Sequence, residues 1–291
     1  MVILDDGVLR LEVAPLGAEM RSMRRRGSPF EYLWQGDPAV WAHRAPHLFP
    51  IVGRLKNDAF VYGGRTFRLG QHGFARDRVF AVGEATGTTA TFVLQDDVAT
   101  LACYPFRFRL AVAYRLDRGA VEIAYEVENP GDVEMPFSIG AHPGFRCPVT
   151  DREPAGEYVL EFEHGETTDR FIVEDGLVSR QSEFALRGES VLRLGAGLFD
   201  RGALVFKDLA SRRVRLVGRT PGSGVELGFK GFPYFGVWSK PGAPFVCLEP
   251  WCGIADAPDA TGHLEDKEGD RAPFSRLRIR PCRHNPSALI Q

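Results

Sequence analysis

The sequence predicts an all-β protein built as a large antiparallel β-sandwich, and three observations carry that prediction. Apolar and polar residues alternate at period two in segment after segment. The segments recur about every ten residues, the spacing of strands joined by short turns. The chain also holds 32 glycines and 20 prolines among 291 residues, more than the usual ~12%, and is punctuated too often for long helices.

Taken in order, the first strand is Val8, Leu9, Leu11 and Val13, entered from an Asp-Asp-Gly turn, and the next is Phe92-Val93-Leu94 after a Gly-Thr-Thr stretch. Phe106, Phe108, Leu110, Val112 and Tyr114 then share one face, with Arg107 and Arg109 on the other. After Asp117-Arg118-Gly119, Val121, Ile123, Tyr125 and Val127 oppose Glu122, Glu126 and Glu128. These two runs predict an antiparallel hairpin. Further strands are predicted at Ala203 to Phe206, Arg213 to Val217, Val225 to Phe229, Tyr234 to Trp238 and Phe245 to Leu248, with Gly222-Ser223-Gly224 as a hairpin turn. No 3.6-residue apolar pattern outlasts a turn or two, and no solenoid repeat or low-complexity stretch occurs. One domain over residues 1–291 is the simplest organisation, and the polar stretch Thr150 to Glu157 reads as an exposed loop.

Charge and cysteine usage exclude several function classes. The 36 basic and 38 acidic residues leave a net charge of −2, too little to bind a phosphate backbone, so a nucleic-acid partner is not expected. No apolar run approaches the roughly 20 residues of a membrane span, and Asp5 and Asp6 interrupt the N-terminal stretch before a signal-peptide core forms. A cytoplasmic protein without membrane contact is expected. Cysteines 103, 147, 247, 252 and 282 are odd in number and lack CxxC spacing, which argues for reduced thiols rather than disulfides or structural zinc.

Three stretches set ionisable residues among glycine, proline and aromatic rings: Gln71-His72-Gly73-Phe74-Ala75-Arg76, Gly140-Ala141-His142-Pro143-Gly144-Phe145 and Leu248-Glu249-Pro250-Trp251-Cys252-Gly253. Proline or glycine fixes the backbone there, and the ring offers an apolar wall that shifts a pKa or stacks on a ligand. With Gly17-Ala18-Glu19, Trp41 and Pro46-His47-Leu48-Phe49-Pro50-Ile51-Val52-Gly53-Arg54-Leu55 before them, these motifs, in this order, make the chain resemble the aldose 1-epimerase, or galactose mutarotase, family. The residues after Glu249, Trp-Cys-Gly-Ile-Ala-Asp, resemble its shorter branch.

The resemblance implies a single β-supersandwich domain that needs no cofactor and interconverts the α and β anomers of a free aldohexose. It implies His142 as general acid and Glu249 as general base, with His72 and Arg54 binding the sugar. Asp200, in Leu198-Phe199-Asp200-Arg201-Gly202, matches a family aspartate, although arginine stands where histidine is common. Epimerisation at C1 requires a base to take the anomeric proton while an acid protonates the ring oxygen. A carboxylate of reference pKa about 4.3 and an imidazole near 6.5 can supply both roles.

Alternatives rest on the same residues. A hexose 6-phosphate substrate would need a cationic clamp, for which Arg54 and Arg76 are candidates, and a carbohydrate-binding protein without activity would not need both His142 and Glu249. A glycosidase would pair two carboxylates. Trp238, Trp251 and Phe235 are either stacking platforms for sugar or core. His43 and His47 are four apart, but Pro46 disfavours the helix that would make them metal ligands, so no metal is expected. Arg21, Arg24, Arg25 and Arg26 read as a solvated strand edge. The partner is a small sugar, and the chain is a monomer or homodimer.

Overall fold

The computed structural model describes residues 1–150, 152–267 and 274–282. It is an antiparallel β-structure whose main sheet has fifteen strands among the described residues, in agreement with the predicted class. A three-stranded sheet, Val2–Asp5, Leu9–Val13 and Met20–Arg25, and a small hairpin, Ala59–Tyr62 with Arg65–Arg68, complete it. The longest α-helix among the described residues, Val98–Cys103, has six residues and a capping box in which the Asp97 carboxylate accepts from the Thr100 amide. No helix among them is long and apolar enough to cross a membrane.

The hairpin expected mid-chain forms from Arg109–Asp117 and Ala120–Glu128, paired from Asp117 opposite Ala120 to Arg109 opposite Glu128. Arg118 and Gly119 both take positive φ, 51° and 78°, the type I′ geometry whose twist matches the strands. Leu110, Val112, Tyr114, Val121, Ile123 and Tyr125 are buried on its inner face, where they join one apolar cluster that runs from Leu4 to Ile279. The strands predicted in the C-terminal third appear as Leu204–Lys207, Arg213–Val217, Val225–Gly228, Tyr234–Trp238 and Phe245–Cys252.

Two differences from expectation have physical causes. Val159–Glu174 and Leu177–Arg193 form a hairpin of 16- and 17-residue strands that alternation did not reveal, because repeated register shifts interrupt the period of two. The stretch after Thr150 is not simply an exposed loop: Glu153 is buried and accepts from the Tyr158 hydroxyl at 2.8 Å and the Arg219 amide at 2.6 Å. Asp151 of that stretch lies outside the described residues.

Candidate active site

The strand Phe245–Cys252 organises the site. All eight of its residues are buried, and alternation turns Cys247, Glu249 and Trp251 to one face while Val246, Leu248 and Cys252 join the main core. Gly236 lies opposite Glu249 on the neighbouring strand. A Cβ there would come within 2.6 Å of the Trp251 ring and 3.2 Å of the Glu249 Cβ, so glycine is what lets both side chains stand on this face.

On the other side of the strand, Ile139–Ala141 pairs with residues 251 and 252 and Gly144–Arg146 pairs with residues 245 to 247. His142-Pro143 bridges these two short strands and so falls beside Glu249. The bridge is pinned by the His142 amide donating to the Pro46 carbonyl at 3.0 Å and the Leu248 amide donating to the Pro143 carbonyl at 3.2 Å. His142 Nε2 then lies 3.1 Å from Glu249 Oε2. Trp41 stacks on the imidazole at 5.0 Å, while Trp238 and His72 meet it edge-on at 5.8 and 5.5 Å.

These side chains line a cavity of about 380 Å³ together with Gly53, Gln71, Arg76, Trp251 and Ala255, a size suited to one small ligand. Val173, Gly176 and Val178 from the tip of the long hairpin form another wall. At that tip Asp175 and Gly176 take positive φ. His72 occupies a left-handed conformation, φ 66°, and exchanges hydrogen bonds with Gly53: its amide donates to the Gly53 carbonyl at 2.7 Å, and the Gly53 amide donates to its Nδ1 at 3.1 Å. An amide can only donate, so Nδ1 accepts and Nε2 carries the ring proton of the neutral imidazole.

Burial drives the ionisable groups here toward their neutral forms. His142 is pushed down to about 3, and Glu249 is held well above the usual carboxylate range. Burial, followed by the neighbouring His142, keeps His72 well below the usual imidazole range. Burial also lowers Arg76, whose Nη2 donates to the Gln71 carbonyl at 2.9 Å. Where the sequence suggests an ionised carboxylate facing a protonated imidazole, burial favours a carboxyl and a neutral imidazole that share one proton.

Of the residues anticipated from sequence, His142, Glu249, His72, Arg76 and Trp251 come together in this cavity. Arg54 and Asp200 do not line it. Arg54 is held outside by a two-point pairing with Asp58 at 2.7 Å for each contact, and it donates to the Asp175 carbonyl at 3.1 Å. Asp200 is exposed in the turn before Leu204–Lys207. Phe235 is core, stacked on Phe229 at 4.5 Å, whereas Trp238 and Trp251 face the cavity. His47 is a buried structural residue whose ring lies 2.7 Å from both the Tyr125 and Tyr114 hydroxyls. Arg21 and Arg24 pair with Glu19 and Glu31, and Arg26 pairs with Asp5. Sequence reasoning left out Trp41 as a wall of the site and the hairpin tip, although Asp175-Gly176 between Val173 and Leu177 is a strong turn signal.

The antiparallel β-structure thus sets a buried imidazole–carboxyl pair in a cavity walled by tryptophans. The family profile described as aldose 1-epimerase matches residues 1–179. The chain is 34% identical over 274 residues to the chromosomal LacX protein of Lactococcus lactis, covering 91% of each chain. It therefore belongs to the aldose 1-epimerase family. Among solved structures, a galactose mutarotase related enzyme from Lactobacillus acidophilus is 32% identical with a TM-score of 0.91, over 98% of this chain and 99% of that one. A galactose mutarotase-like protein from Lactobacillus casei is 27% identical with a TM-score of 0.85, over 96% and 98%.

Proposed function

We propose that this protein is a cytoplasmic, cofactor-independent aldose 1-epimerase that interconverts the anomers of a free aldohexose. The observation that carries the reading is the 3.1 Å approach of His142 Nε2 to Glu249 Oε2 inside a cavity of sugar size. The anomeric and ring oxygens are both bonded to C1, so an acid and a base that serve them must themselves be neighbours, as these two are.

From the tautomer that places the shared proton on His142, Glu249 removes the proton of the anomeric hydroxyl, and the C1–O1 bond becomes the aldehyde. The C1–ring oxygen bond breaks, and its electron pair takes the proton from His142. Rotation about C1–C2 presents the other carbonyl face, and closure runs the two transfers backward, which restores both groups. His72 Nε2–H, Arg76 and Gln71 offer hydrogen bonds to the hydroxyls, and Trp41, Trp238 and Trp251 supply apolar walls for the C–H faces of the ring. A free sugar is favoured over its phosphate because, of the two guanidiniums suggested as a clamp, Arg76 lines the cavity and Arg54 is engaged with Asp58.

Polarimetry tests the proposal. Freshly dissolved α-glucose, α-galactose and α-glucose 6-phosphate should include at least one sugar whose optical rotation relaxes at a rate proportional to protein concentration. Relaxation at the buffer rate with all three, by protein that binds them in calorimetry, would leave a carbohydrate-binding protein.

A further inference from the structure

We propose that a thiophilic divalent cation of the zinc class binds between His142, Cys247 and Glu249 and, by seizing the proton-transfer pair, inhibits sugar turnover. The proposal goes beyond the epimerase reading, and only its inhibition arm rests on that reading. Cys247 and Glu249 are two residues apart on one strand and share one face of it, Glu249 lining the cavity and Cys247 buried beside it against Trp34 and Phe245, while the His142-Pro143 bridge sets the imidazole beside them. One ligand atom from each of the three, Nε2 or Nδ1, Sγ and a carboxylate oxygen, lies within 4.8 Å of the others, and all three residues are buried. A tetrahedral zinc ion, with bonds of about 2.0 Å to nitrogen and 2.3 Å to sulfur, holds its donors roughly 3.5 Å apart. The trio therefore closes on such an ion by shifts of about an ångström.

The donor set selects the ion. Nitrogen, sulfur and oxygen together suit a borderline-soft cation, whereas magnesium and calcium require oxygen throughout. Binding releases the thiol proton and the carboxyl proton, and the thiolate and carboxylate then cancel the charge of the ion. A neutral assembly is one that this buried position can hold. The site is not built as a resident metal centre. His142 Nδ1 is buried with no hydrogen-bond partner among the described residues, whereas a permanent metal ligand donates this second ring nitrogen to a carboxylate or carbonyl. The three donors leave a fourth position for water or a sugar hydroxyl, so the ion and the sugar compete for the same pair.

The test uses the full chain titrated with zinc chloride in calorimetry and polarimetry, and with cobalt(II) in absorption spectroscopy. One equivalent of zinc should bind and abolish mutarotation, EDTA should restore the full rate, and cobalt should give a thiolate-to-metal charge-transfer band. Cys247→Ser keeps the side-chain size and should retain the basal rate within a few-fold. Partners of metal ligands are already worth 10–100-fold in affinity, so loss of the thiolate itself should weaken zinc binding about 100-fold or more. The cobalt band should vanish in this variant and persist in Cys103→Ser, which removes the one cysteine that is not buried. A parent protein without the band, or equal zinc affinity in Cys247→Ser and parent, would overturn the proposal. Should Cys247→Ser fail to fold, the parent and Cys103→Ser spectra still decide it. A protein without mutarotase activity but with the cobalt band would sink the epimerase reading and leave the cation site standing.

Discussion

Replacing Glu249 by glutamine separates the chemistry of the pair from its shape. The carboxyl is 2% exposed and its Oε2 lies 3.1 Å from His142 Nε2, so the isosteric amide can donate to the same nitrogen and hold the cavity open. A proton-transfer group contributes roughly 10² to 10⁴ in rate, or about 2.7 to 5.5 kcal/mol of barrier, so turnover should fall by at least ~10² while sugar affinity stays within a few-fold. Stability should move the other way. Glu249 has a raised pKa in the folded state, so its contribution is fully present below the unfolded carboxyl's pKa of about 4.3 and is lost as pH rises through the folded value. Glutamine carries no such dependence, and the variant should gain thermal stability relative to the parent between pH 5 and pH 8. Polarimetry, calorimetric titration with sugar and melting curves at the two pH values give the three readouts. Near-parental turnover combined with weakened binding would remove the base role from Glu249. A constant difference in melting temperature across that pH range would show that burial does not hold the carboxyl protonated.

Arg54→Ala should raise the Michaelis constant several-fold with little change in turnover or melting temperature, because an exposed, solvent-screened pair with Asp58 adds little to stability while the lost contact at Asp175 frees the hairpin tip beside the cavity; a fall in turnover alone would contradict this. The pH–rate profile should be a broad plateau whose acid limb lies near pH 3, where His142 gains a second proton for the pair, and whose alkaline limb lies well above the usual carboxylate range. A narrow optimum between the reference values of about 4.3 and 6.5 would argue against burial as the dominant influence. Stability itself should fall on acidification from pH 6.5 toward 4. His47, at about 4, and His142, at about 3, are depressed in the folded state, so their contribution is present above the unfolded value of 6.5 and lost as pH drops. The slope in urea unfolding is about 3 kcal/mol per pH unit from these two, increased by His72 and opposed by Glu249; a flat dependence would contradict the assignment. Gly53→Ala should cost roughly 2–4 kcal/mol, since φ is +70° and a Cβ would stand 2.4 Å from that of Ala255. An unchanged urea midpoint would show that the His72–Gly53 link is not a fixed element of the site.

The parts of the fold that were legible are those whose side chains obey a strict period. The Arg109–Asp117 and Ala120–Glu128 strands alternate cleanly because one face is core and the other is water. The long hairpin was hidden because its register shifts move residues from one face to the other and because much of it is polar on both faces. In the site, His142 and Glu249 were singled out by the combination of their proline-flanked motifs and the family resemblance those motifs carry, since a proline beside one ionisable residue marks only a fixed backbone. Arg54 was placed by motif alone, and the motif cannot record that Asp58, four residues on, has a carboxylate positioned to engage its guanidinium. Trp41 became part of the site only through the stacking of distant segments, a contact to which no local pattern refers.

The state that burial favours has a consequence for the direction of the reaction. An anomerase gains nothing by preferring one anomer, since both lie on the same path through the open chain. It does need an acid and a base that can each serve either oxygen of C1. Here burial lowers His142 and raises Glu249, so the resting pair is a carboxyl beside a neutral imidazole and carries one shared proton and no net charge. In the proposed ring opening Glu249 takes one proton from the sugar while His142 gives one to it, so no net charge enters the cavity, where the apolar rings of Trp41, Trp238 and Trp251 would penalise one.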